Sequence, residues 1–571
     1  MEYIYLICAL LLLFLFIMGK EYLTSKRREK VFIKRLYDQY GMPKEREYQA
    51  GELDEHIAMY YRRHKENDQI DEITWHDLGM DEVYKSINYS YSSAGDEYLY
   101  YRLRTPITNA GLLDAFEKHV GFFMAHADER VMLQLKFAAL GRMKKYSLYE
   151  YLEHLEELGE RNSLKYYLAI LCVAASIGIM FFSVPVGIVA LLAVLCRNMV
   201  CYFKEHKEIE PYITSFQYVF RLMDASRQTA KLPIAEIEKE RESLKDCCKK
   251  MEGFKQGSFL VMSSSGGRSI SSSNFIEVIL DYLRMLLYLD LIKFNQMLGV
   301  VRENLDAIDE MITIIGALET AVVVGEMRTG RKDGWCTPDF PDESREGMPC
   351  IKMERFYHPL LTDPVKNDLD TGRGVLLTGS NASGKSTFLR AVALNVVLAQ
   401  TLHTCMADSY YGSFFRVFSS MSLQDDLISG DSYYMVEVKS IQRILNQAQE
   451  GGEDAAPVLC FVDEVLRGTN TVERIAASTQ ILRALSGRGV LCFAATHDVE
   501  LTKLLAKEFD NYHFEEEIQE DDIFFPYRLQ KGPAHTRNAI ALLRMLGYDA
   551  SLVKDAEEMA DVFLRTGDWK G

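Results

Sequence analysis

The stretch GSNASGKST at Gly379–Thr387 decides the fold of the C-terminal part of this chain. It fits G-x-x-x-x-G-K-[ST] without a gap and lies between an apolar run, Gly374–Thr378, and the helix-like segment FLRAVALNVVLAQTL. A strand, a glycine-rich loop and a helix in that order predict a phosphate-binding loop. Loop amides and the helix N-terminus would face the phosphates, Lys385 would reach the outer ones, and the Ser386 hydroxyl would ligate magnesium. The candidate ATP-binding residues are therefore Gly379, Ser380, Asn381, Ala382, Ser383, Gly384, Lys385, Ser386 and Thr387.

Two more apolar runs end in side chains that suit the same site. Val458–Val462 is followed by Asp463 and Glu464, and Val490–Ala495 is followed by Thr496 and His497. Asp463 would hold the magnesium ion and Glu464 would act as general base towards the attacking water. His497 can sense the γ-phosphate, although a single histidine at a strand end is often only structural. We expect Lys385, Glu464 and His497 to be the catalytic residues.

Composition excludes several classes of protein. The chain has 571 residues, 48% of them hydrophobic and 26% charged, which indicates folded domains rather than disorder. A formal net charge of −17 argues against a generally basic surface for nucleic acid. The 11 cysteines form no CxxC pair, so neither a zinc site nor a disulfide framework is expected.

The N-terminal run Tyr3–Gly19 carries no charge and precedes a basic cluster. A cleaved signal peptide would have its positive charge before the apolar run, so we favour an uncleaved membrane anchor at residues 1–20. A juxtamembrane helical region is expected at residues 21–70.

A second apolar region, Tyr166–Phe203, is long enough for two membrane spans joined by a turn at Ser183–Gly187. The alternative is a buried hairpin of a soluble core. Basic residues on both sides place both ends on the cytoplasmic face: Arg161, Lys165, Lys204 and Lys207. The N-terminal apolar run and the two halves of residues 166–203 together predict a multi-pass protein of the cell membrane. Its three spans would contact lipid, and its ATPase domain would be cytoplasmic.

The segments between these elements resemble the ATPase domain of the MutS family of mismatch-repair proteins. Four blocks carry the likeness: VKND at Val365–Asp368, the phosphate loop with its Asn381, DDLISGDSYYMVE within Ser422–Ile441, and DEVLRGTNT followed by ATHDVEL at Asp463–Leu501. More faintly, Ile87–Ile107 is similar to the start of the family's helical lever domain.

The resemblance implies a homodimer in which each nucleotide lies between two ATPase domains. Ser432 would then reach the partner's γ-phosphate, and Asn381 would lie near the same junction. It also implies a C-terminal helix-turn-helix that clasps the partner, in the segment from Tyr527. A DNA-reading role for this helix pair is the weaker alternative.

We therefore expect an α/β P-loop ATPase domain with an ABC-like mixed sheet flanked by helices, plus an all-α lever domain with transmembrane helices. The lever would occupy residues 71–345, with the membrane hairpin inserted at 166–203, and the ATPase domain residues 346–571. Long packed helices are expected within Asn274–Met327, after a flexible polar loop at Met262–Asn274.

Some features depart from the family pattern. The Phe-x-Glu wedge of the mismatch-recognition domain has no visible counterpart in the N-terminal part of this sequence. Leu466 stands where the family usually has glycine, and Glu473 and Arg474 replace Asp-Gly. None of these positions supplies a phosphate or magnesium ligand, so ATP binding is expected to persist.

Two functions remain open from the sequence. The first is an ATP-gated clamp on mismatched or branched DNA, held at the membrane; local positive charge for it comes from Lys245, Lys249, Lys250, Lys255 and Arg268. The second is a membrane-tethered mechanical switch that acts on the bilayer or on an unknown protein partner without DNA. An ABC-transporter half is disfavoured because LISGDSYYMVE occupies the place of an LSGGQ-like block.

Overall fold

A computed structural model gives the architecture of the chain. It describes residues 2–566 except 45, 144–146, 155–158, 160, 256–284, 342–348, 381–382, 422–432, 451–454, 468, 488, 520–521, 535–539, 541–542 and 545–546. For some residues inside helices, chiefly 2–15, only the backbone is described.

The chain forms two compact units. Unit 1 comprises residues 1–64, 88–101 and 118–330, and unit 2 comprises residues 65–87, 102–117 and 331–571. Two short N-terminal segments thus pack with the C-terminal part, which no pattern in the sequence indicated. The boundaries predicted from the sequence, at residues 20, 70 and 345, stay a prediction.

The described part of residues 2–330 is helical. The helices are α1 (Glu2–Asp38), α2 (Met59–Arg63), α3 (Glu72–Asp77), α4 (Met80–Ile87), α5 (Ser93–Arg104), α6 (Ala110–Ala125), α7 (Ala127–Leu140), α8 (Leu148–His154), α9 (Leu164–Met180), α10 (Val184–Thr229), α11 (Glu238–Lys250), α12 (Glu252–Lys255), α13 (Leu289–Glu303) and α14 (Leu305–Gly330). Helices α13 and α14 confirm the packed helices expected before Met327, whereas the polar loop at 262–274 lies outside the described residues.

Helix α14 forms the core of unit 1, and its residues from Leu318 to Arg328 are all buried. Glycines allow close packing on α5: a Cβ added at Gly316 would lie 2.5 Å from Tyr98 Cβ. The buried carboxylate of Glu319 accepts hydrogen bonds from the amides of Tyr91 and Ser92, just before α5 begins. A side chain on α14 therefore satisfies backbone donors near the start of another helix.

The apolar region at 166–203 forms an antiparallel pair of helices, α9 and α10. The turn lies at 181–183 rather than at Ser183–Gly187, because Pro185 belongs to the first turn of α10, where a missing N–H costs little. Helix α10 continues for 46 residues, far beyond Phe203.

One helix in the described part of the chain, Val184–Ile209, is long and apolar enough to cross a membrane, and Leu164–Met180 is a shorter apolar helix. The predicted anchor at residues 1–20 lies where the structure describes mostly the backbone and few side chains. Three spans therefore stay a prediction.

Unit 2 contains a mixed sheet flanked by helices, as expected. Its strands are β1 (Ile351–Phe356), β2 (Asn367–Thr371), β3 (Gly374–Thr378), β4 (Ser409–Gly412), β5 (Arg416–Ser420), β6 (Val458–Asp463), β7 (Val490–Thr496), β8 (Phe509–His513), β9 (Glu517–Gln519), β10 (Asp522–Phe524) and β11 (Gln530–Lys531). Its remaining helices are α15 (Lys385–Leu402), α16 (Tyr433–Glu450), α17 (Thr471–Ala484), α18 (Val499–Leu504) and α19 (Ala550–Thr566).

The main sheet has six strands in the order β11-β8-β3-β7-β6-β5. All neighbours are parallel except β11, which runs antiparallel to β8. A smaller antiparallel sheet has the order β2-β1-β4. Strands β3, β7 and β6 are adjacent and parallel, so their carboxyl ends bring the three predicted site segments to one edge of the sheet.

Candidate nucleotide site

The phosphate loop joins β3 to α15, as the motif predicts. Gly379 and Gly384 have positive φ values of 143° and 98°, which the loop's curvature requires and which favour glycine. Lys385 is buried, and its Nζ donates to the carbonyl oxygens of Gly379 and Ser380, both at 2.8 Å. Burial lowers the pKa of Lys385. Its ammonium group thus lies within the loop, with partners that phosphate oxygens could replace.

The two predicted magnesium ligands meet in the structure. The Ser386 hydroxyl donates a hydrogen bond to Asp463 Oδ2 at the end of β6. Asp463 is half-buried, and this burial raises its pKa. A hydroxyl and a carboxylate beside a phosphate loop are the hard oxygen donors that Mg²⁺ prefers, so these residues fit the ion.

Glu464 contacts two cationic or titratable side chains. His497 Nε2 lies 2.6 Å from Glu464 Oε1, and Arg467 Nε lies 2.7 Å from Oε2. The hydrogen bond to His497 is the main cause of the lowered pKa of Glu464. The structure therefore places His497 directly on the candidate base, where it can orient the carboxylate.

The backbone after β6 is strained. Glu464 and Leu466 have φ values of 60° and 58°, in the left-handed region that disfavours side chains with a Cβ. This explains why a glycine suits the position of Leu466 in the related motif. Here Leu466 is 5% exposed within the apolar core of the sheet, so burial of its side chain offsets the strain.

Glu437 on α16 holds this strained turn, and the sequence did not single it out. Its Oε1 accepts hydrogen bonds from the amides of Leu466 and Arg467. Glu437 is 3% exposed, and burial raises its pKa. Glu437 thus links α16, which follows Ser432 in the sequence, to the turn after Glu464.

Helix α3 contacts the strand that leads into the same segment. Asp77 Oδ2 accepts hydrogen bonds from Ser419 Oγ at 2.7 Å and from Met421 N at 2.8 Å. Asp71, at the start of α3, pairs with Arg443 of α16. No motif could have revealed these contacts, since about 340 residues separate Asp77 from Met421.

An aromatic ring lies beside the phosphate loop. A Cβ added at Gly384 would lie 2.9 Å from Tyr527 Cδ1, and the side chain of Tyr527 is 45% exposed. Asn367 fixes this segment because its side chain donates to Tyr527 O at 3.0 Å and accepts from Leu529 N at 2.8 Å. The VKND block thus positions Tyr527, which the sequence had placed only in the helix-turn-helix region.

Several of the predicted site residues lie outside the part of the chain that the structure describes. Asn381, Ala382 and Ser432 are among them, as is much of the helix-turn-helix at 535–546. Thr387 is exposed in the first turn of α15 and Ser383 is buried in the loop. The described residues bring together Lys385, Ser386, Asp463, Glu464 and His497.

The C-terminal part of the chain is similar to known proteins. Residues 375–563 match the family model for MutS domain V. The DNA mismatch repair protein MutS of Thermus thermophilus is 30% identical over 263 residues, covering 45% of this chain and 31% of the relative. The MutS protein of Pseudothermotoga lettingae is 33% identical over 241 residues, covering 40% of this chain and 28% of the relative. The chain thus spans about a third of the length of the curated relatives it matches. Residues 375–563 are therefore similar to domain V, the ATPase domain, of the MutS family.

Proposed function

We propose that this protein is a Mg²⁺-dependent ATPase that works as a dimer held at a membrane and closes as a clamp on DNA. The observation that carries the ATPase proposal is the meeting of Ser386, Asp463 and Glu464 at the carboxyl ends of β3 and β6. A hydroxyl and two acids at this place are the residue types that a phosphate-loop ATPase uses to bind magnesium and to activate water, which supports the proposal.

Each residue has a separate task in this proposal. Ser386 and Asp463 would hold the magnesium ion, which would neutralise charge on the β- and γ-phosphates when bound. Lys385 would exchange its loop carbonyl partners for phosphate oxygens. Glu464, oriented by His497, would accept a proton from the attacking water. The exposed ring of Tyr527 beside Gly384 is suited to stacking on the base of the nucleotide.

Dimerisation is proposed from the resemblance of the segment around Ser432. In the proposed dimer, Ser432 of each subunit completes the nucleotide site of the other. Glu437 and Asp77 support this role because they fix the described residues on either side of the segment, on α16 and at the end of β5. A site completed in trans makes hydrolysis depend on the association of two subunits.

Two variants test the ATPase and its shared site. Glu464→Ala should bind ATP without turning it over, and hydrolysis at the wild-type rate would remove Glu464 from the role of base. Ser432→Ala and Lys385→Ala should each abolish turnover, whereas a mixture of the two should regain up to about a quarter of the activity, since some heterodimers hold one intact site. If the mixture stays inactive although mixed dimers form, the shared site is wrong.

DNA is the proposed partner because the related proteins are DNA mismatch repair proteins by name. The test is equilibrium binding of the detergent-solubilised protein to homoduplex, mismatched and branched DNA at one near-physiological salt concentration, with and without ATP. ATP-dependent binding with a preference for one structure supports the clamp. No binding to any DNA alongside intact ATP hydrolysis contradicts it.

One observation favours the second candidate, a membrane-tethered mechanical switch. Helix α10 runs unbroken for 46 residues, from the apolar hairpin into the packed core of unit 1, where it contacts α7, α11 and α14. A continuous helix transmits displacement between its ends. ATP-dependent change in the environment of the hairpin, measured in the absence of DNA, would favour this function.

A further inference from the structure

The hairpin of α9 and α10 exposes an apolar surface along its length. Large hydrophobic side chains point outward on both helices: Leu168, Leu171, Ile177, Ile179, Val186, Ile188, Val189 and Leu192. Soluble proteins rarely expose a continuous apolar surface of this extent. We therefore expect an apolar partner to cover this surface.

Polar and aromatic residues mark the base of the hairpin. Arg197 is exposed on α10, and the next residue, Asn198, is fully buried, where its carbonyl accepts a hydrogen bond from Tyr288. One turn further, Tyr202 donates to the buried carboxylate of Asp290 at 2.6 Å. Residues 286–290, at and just before the start of α13, thus cover one side of α10 at the level of Asn198 and Tyr202.

On α9 the same level is marked by aromatic and basic residues. Tyr166 stacks on Tyr288 with ring centroids 5.1 Å apart, Tyr167 is half exposed, and Lys165 pairs with Glu205 of α10. Tyrosines and basic side chains with apolar neighbours are typical of the headgroup zone of a bilayer. This layer fits the boundary between lipid and water.

Helix α10 also exposes apolar side chains on the near side of Arg197, at Met199, Val200 and Phe203, but the apolar part between Arg197 and the turn is short. Thirteen residue steps separate Tyr167 from the end of α9 at Met180, and thirteen separate the start of α10 at Val184 from Arg197. At 1.5 Å per residue each arm reaches about 20 Å. The hydrocarbon core of a bilayer is about 30 Å thick, so the turn would stop short of the opposite headgroups.

The turn itself is built for an apolar environment. Phe181 and Phe182 are 88% and 94% exposed. The amides of Phe181, Phe182 and Ser183 donate to carbonyls of the last turn of α9, and Gly187 N donates to Ser183 O at 2.9 Å. Pro185 has no N–H to satisfy. Backbone groups satisfied within the hairpin are what burial in hydrocarbon demands.

We propose that the α9–α10 hairpin is a re-entrant membrane element, which enters the bilayer from the side of its base and ends inside the hydrocarbon without crossing it. This replaces two predicted spans by one insertion. It goes beyond the proposed function in that it concerns the lipid contact alone and does not depend on DNA or on ATP turnover. The partner is the acyl-chain region of one bilayer, contacted by the turn and the outer faces of both arms.

Cysteine accessibility in nanodiscs tests the proposal, because water reaches both faces of a nanodisc. The full-length protein would carry Ser183→Cys, with Lys207→Cys as the matched control beyond the polar layer, where Lys207 is exposed. A membrane-impermeant maleimide would be added and labelling read peptide by peptide by mass spectrometry. We expect the thiol at 183 to react at least about tenfold more slowly than the thiol at 207, since a thiol in hydrocarbon forms no thiolate.

Equal labelling in nanodiscs would overturn the proposal, and sealed vesicles would then show why. Reaction at position 183 only from the face opposite to position 207 means that the hairpin spans the bilayer. Reaction from the same face means that the hairpin stays outside it. Protection in nanodiscs together with a disulfide crosslink between two thiols at position 183 means that a second copy of the chain covers the hairpin, which also overturns the proposal. ATP hydrolysis by the same nanodiscs separates failure of this proposal from failure of the proposed function.

Discussion

The buried carboxylate of Asp77, on α3, accepts a hydrogen bond from the amide of Met421 at 2.8 Å and another from the Ser419 hydroxyl at 2.7 Å. Met421 is the last described residue before the segment 422–432, which carries Ser432. Asp77 also precedes by only 11 residues the point where the chain passes into unit 1, at Asn88. A contact near the candidate nucleotide site is thus close in sequence to unit 1.

Asp77→Ala should lower the turnover number for ATP more than it changes the KM. The substitution leaves two buried donors without an acceptor, at about 1–3 kcal/mol each, and frees the end of β5. ATP hydrolysis and thermal unfolding would be measured side by side, with Asp77→Asn as the variant that retains an acceptor oxygen. The control is Asp114→Ala, at an exposed acid in the same unit. Normal turnover by a folded Asp77→Ala protein would show that the contact has no role in the site.

Glu437→Ala should impair hydrolysis while ATP binding persists. The loss of its carboxylate leaves the amides of Leu466 and Arg467 buried without their acceptor, and the strained turn after Glu464 loses its support. We expect a drop in turnover number of at least about tenfold, corresponding to about 1.4 kcal/mol in the barrier. Glu437→Gln, which keeps an amide oxygen for the same donors, should recover most of the rate. Equal loss in both variants would argue against a positioning role.

Leu466 provides a test of backbone strain. Leu466→Ala should destabilise unit 2 by about 2–5 kcal/mol, because it removes a buried side chain. Elsewhere glycine is about 0.5–1 kcal/mol worse than alanine, but at φ = 58° glycine avoids the strain that alanine retains. Leu466→Gly should therefore melt at the same temperature as Leu466→Ala or higher. A clearly lower melting temperature for the glycine variant would mean that the left-handed conformation is not strained here.

Glu319 should make the stability of unit 1 depend on pH. Burial raises the pKa of Glu319 from 4.5 to about 7, while the Ser92 hydroxyl and the Tyr91 amide oppose this rise. The nearby charges are Asp96, which raises the pKa, and Arg142, which lowers it. In the native state the Glu319 carboxyl therefore stays protonated up to a higher pH than in the unfolded chain. The stability that this bound proton gives to unit 1 is fully present below pH 4.5 and is lost as pH rises towards 7.

Glu319→Gln should accordingly flatten the pH dependence of unfolding. Relative to the wild type, the variant should gain stability at pH 8 and show no gain near pH 4.5. The change in this gain between the two pH values is on the order of 3 kcal/mol of unfolding free energy. Thermal unfolding at several pH values between 4.5 and 8 would measure it. Parallel curves for the two proteins would show that Glu319 titrates normally.

The amino-acid sequence by itself determined the candidate nucleotide site at the level of segments. Strand β3 begins and ends where its apolar run does, and β6 and β7 end within one residue of the predicted positions. These are local signals, because a buried parallel strand must be apolar and a phosphate loop must contain glycine where the backbone turns. Asp463 and Glu464 followed from the same reasoning, as acids at the carboxyl end of such a strand.

Only the tertiary structure decided which distant side chains support that site and where the hairpin ends. The contacts of Asp77 with Met421 and of Asn367 with the Tyr527 segment join residues more than 150 positions apart, and hydrogen bonds of this kind leave no periodic pattern in a sequence. Hydropathy indicated the apolar length of residues 166–203 but not the buried polar layer at Asn198, because burial of one helix face depends on what packs against it. The composition of a segment can be seen in the sequence, whereas the residues that a side chain contacts are determined by the folding of the chain.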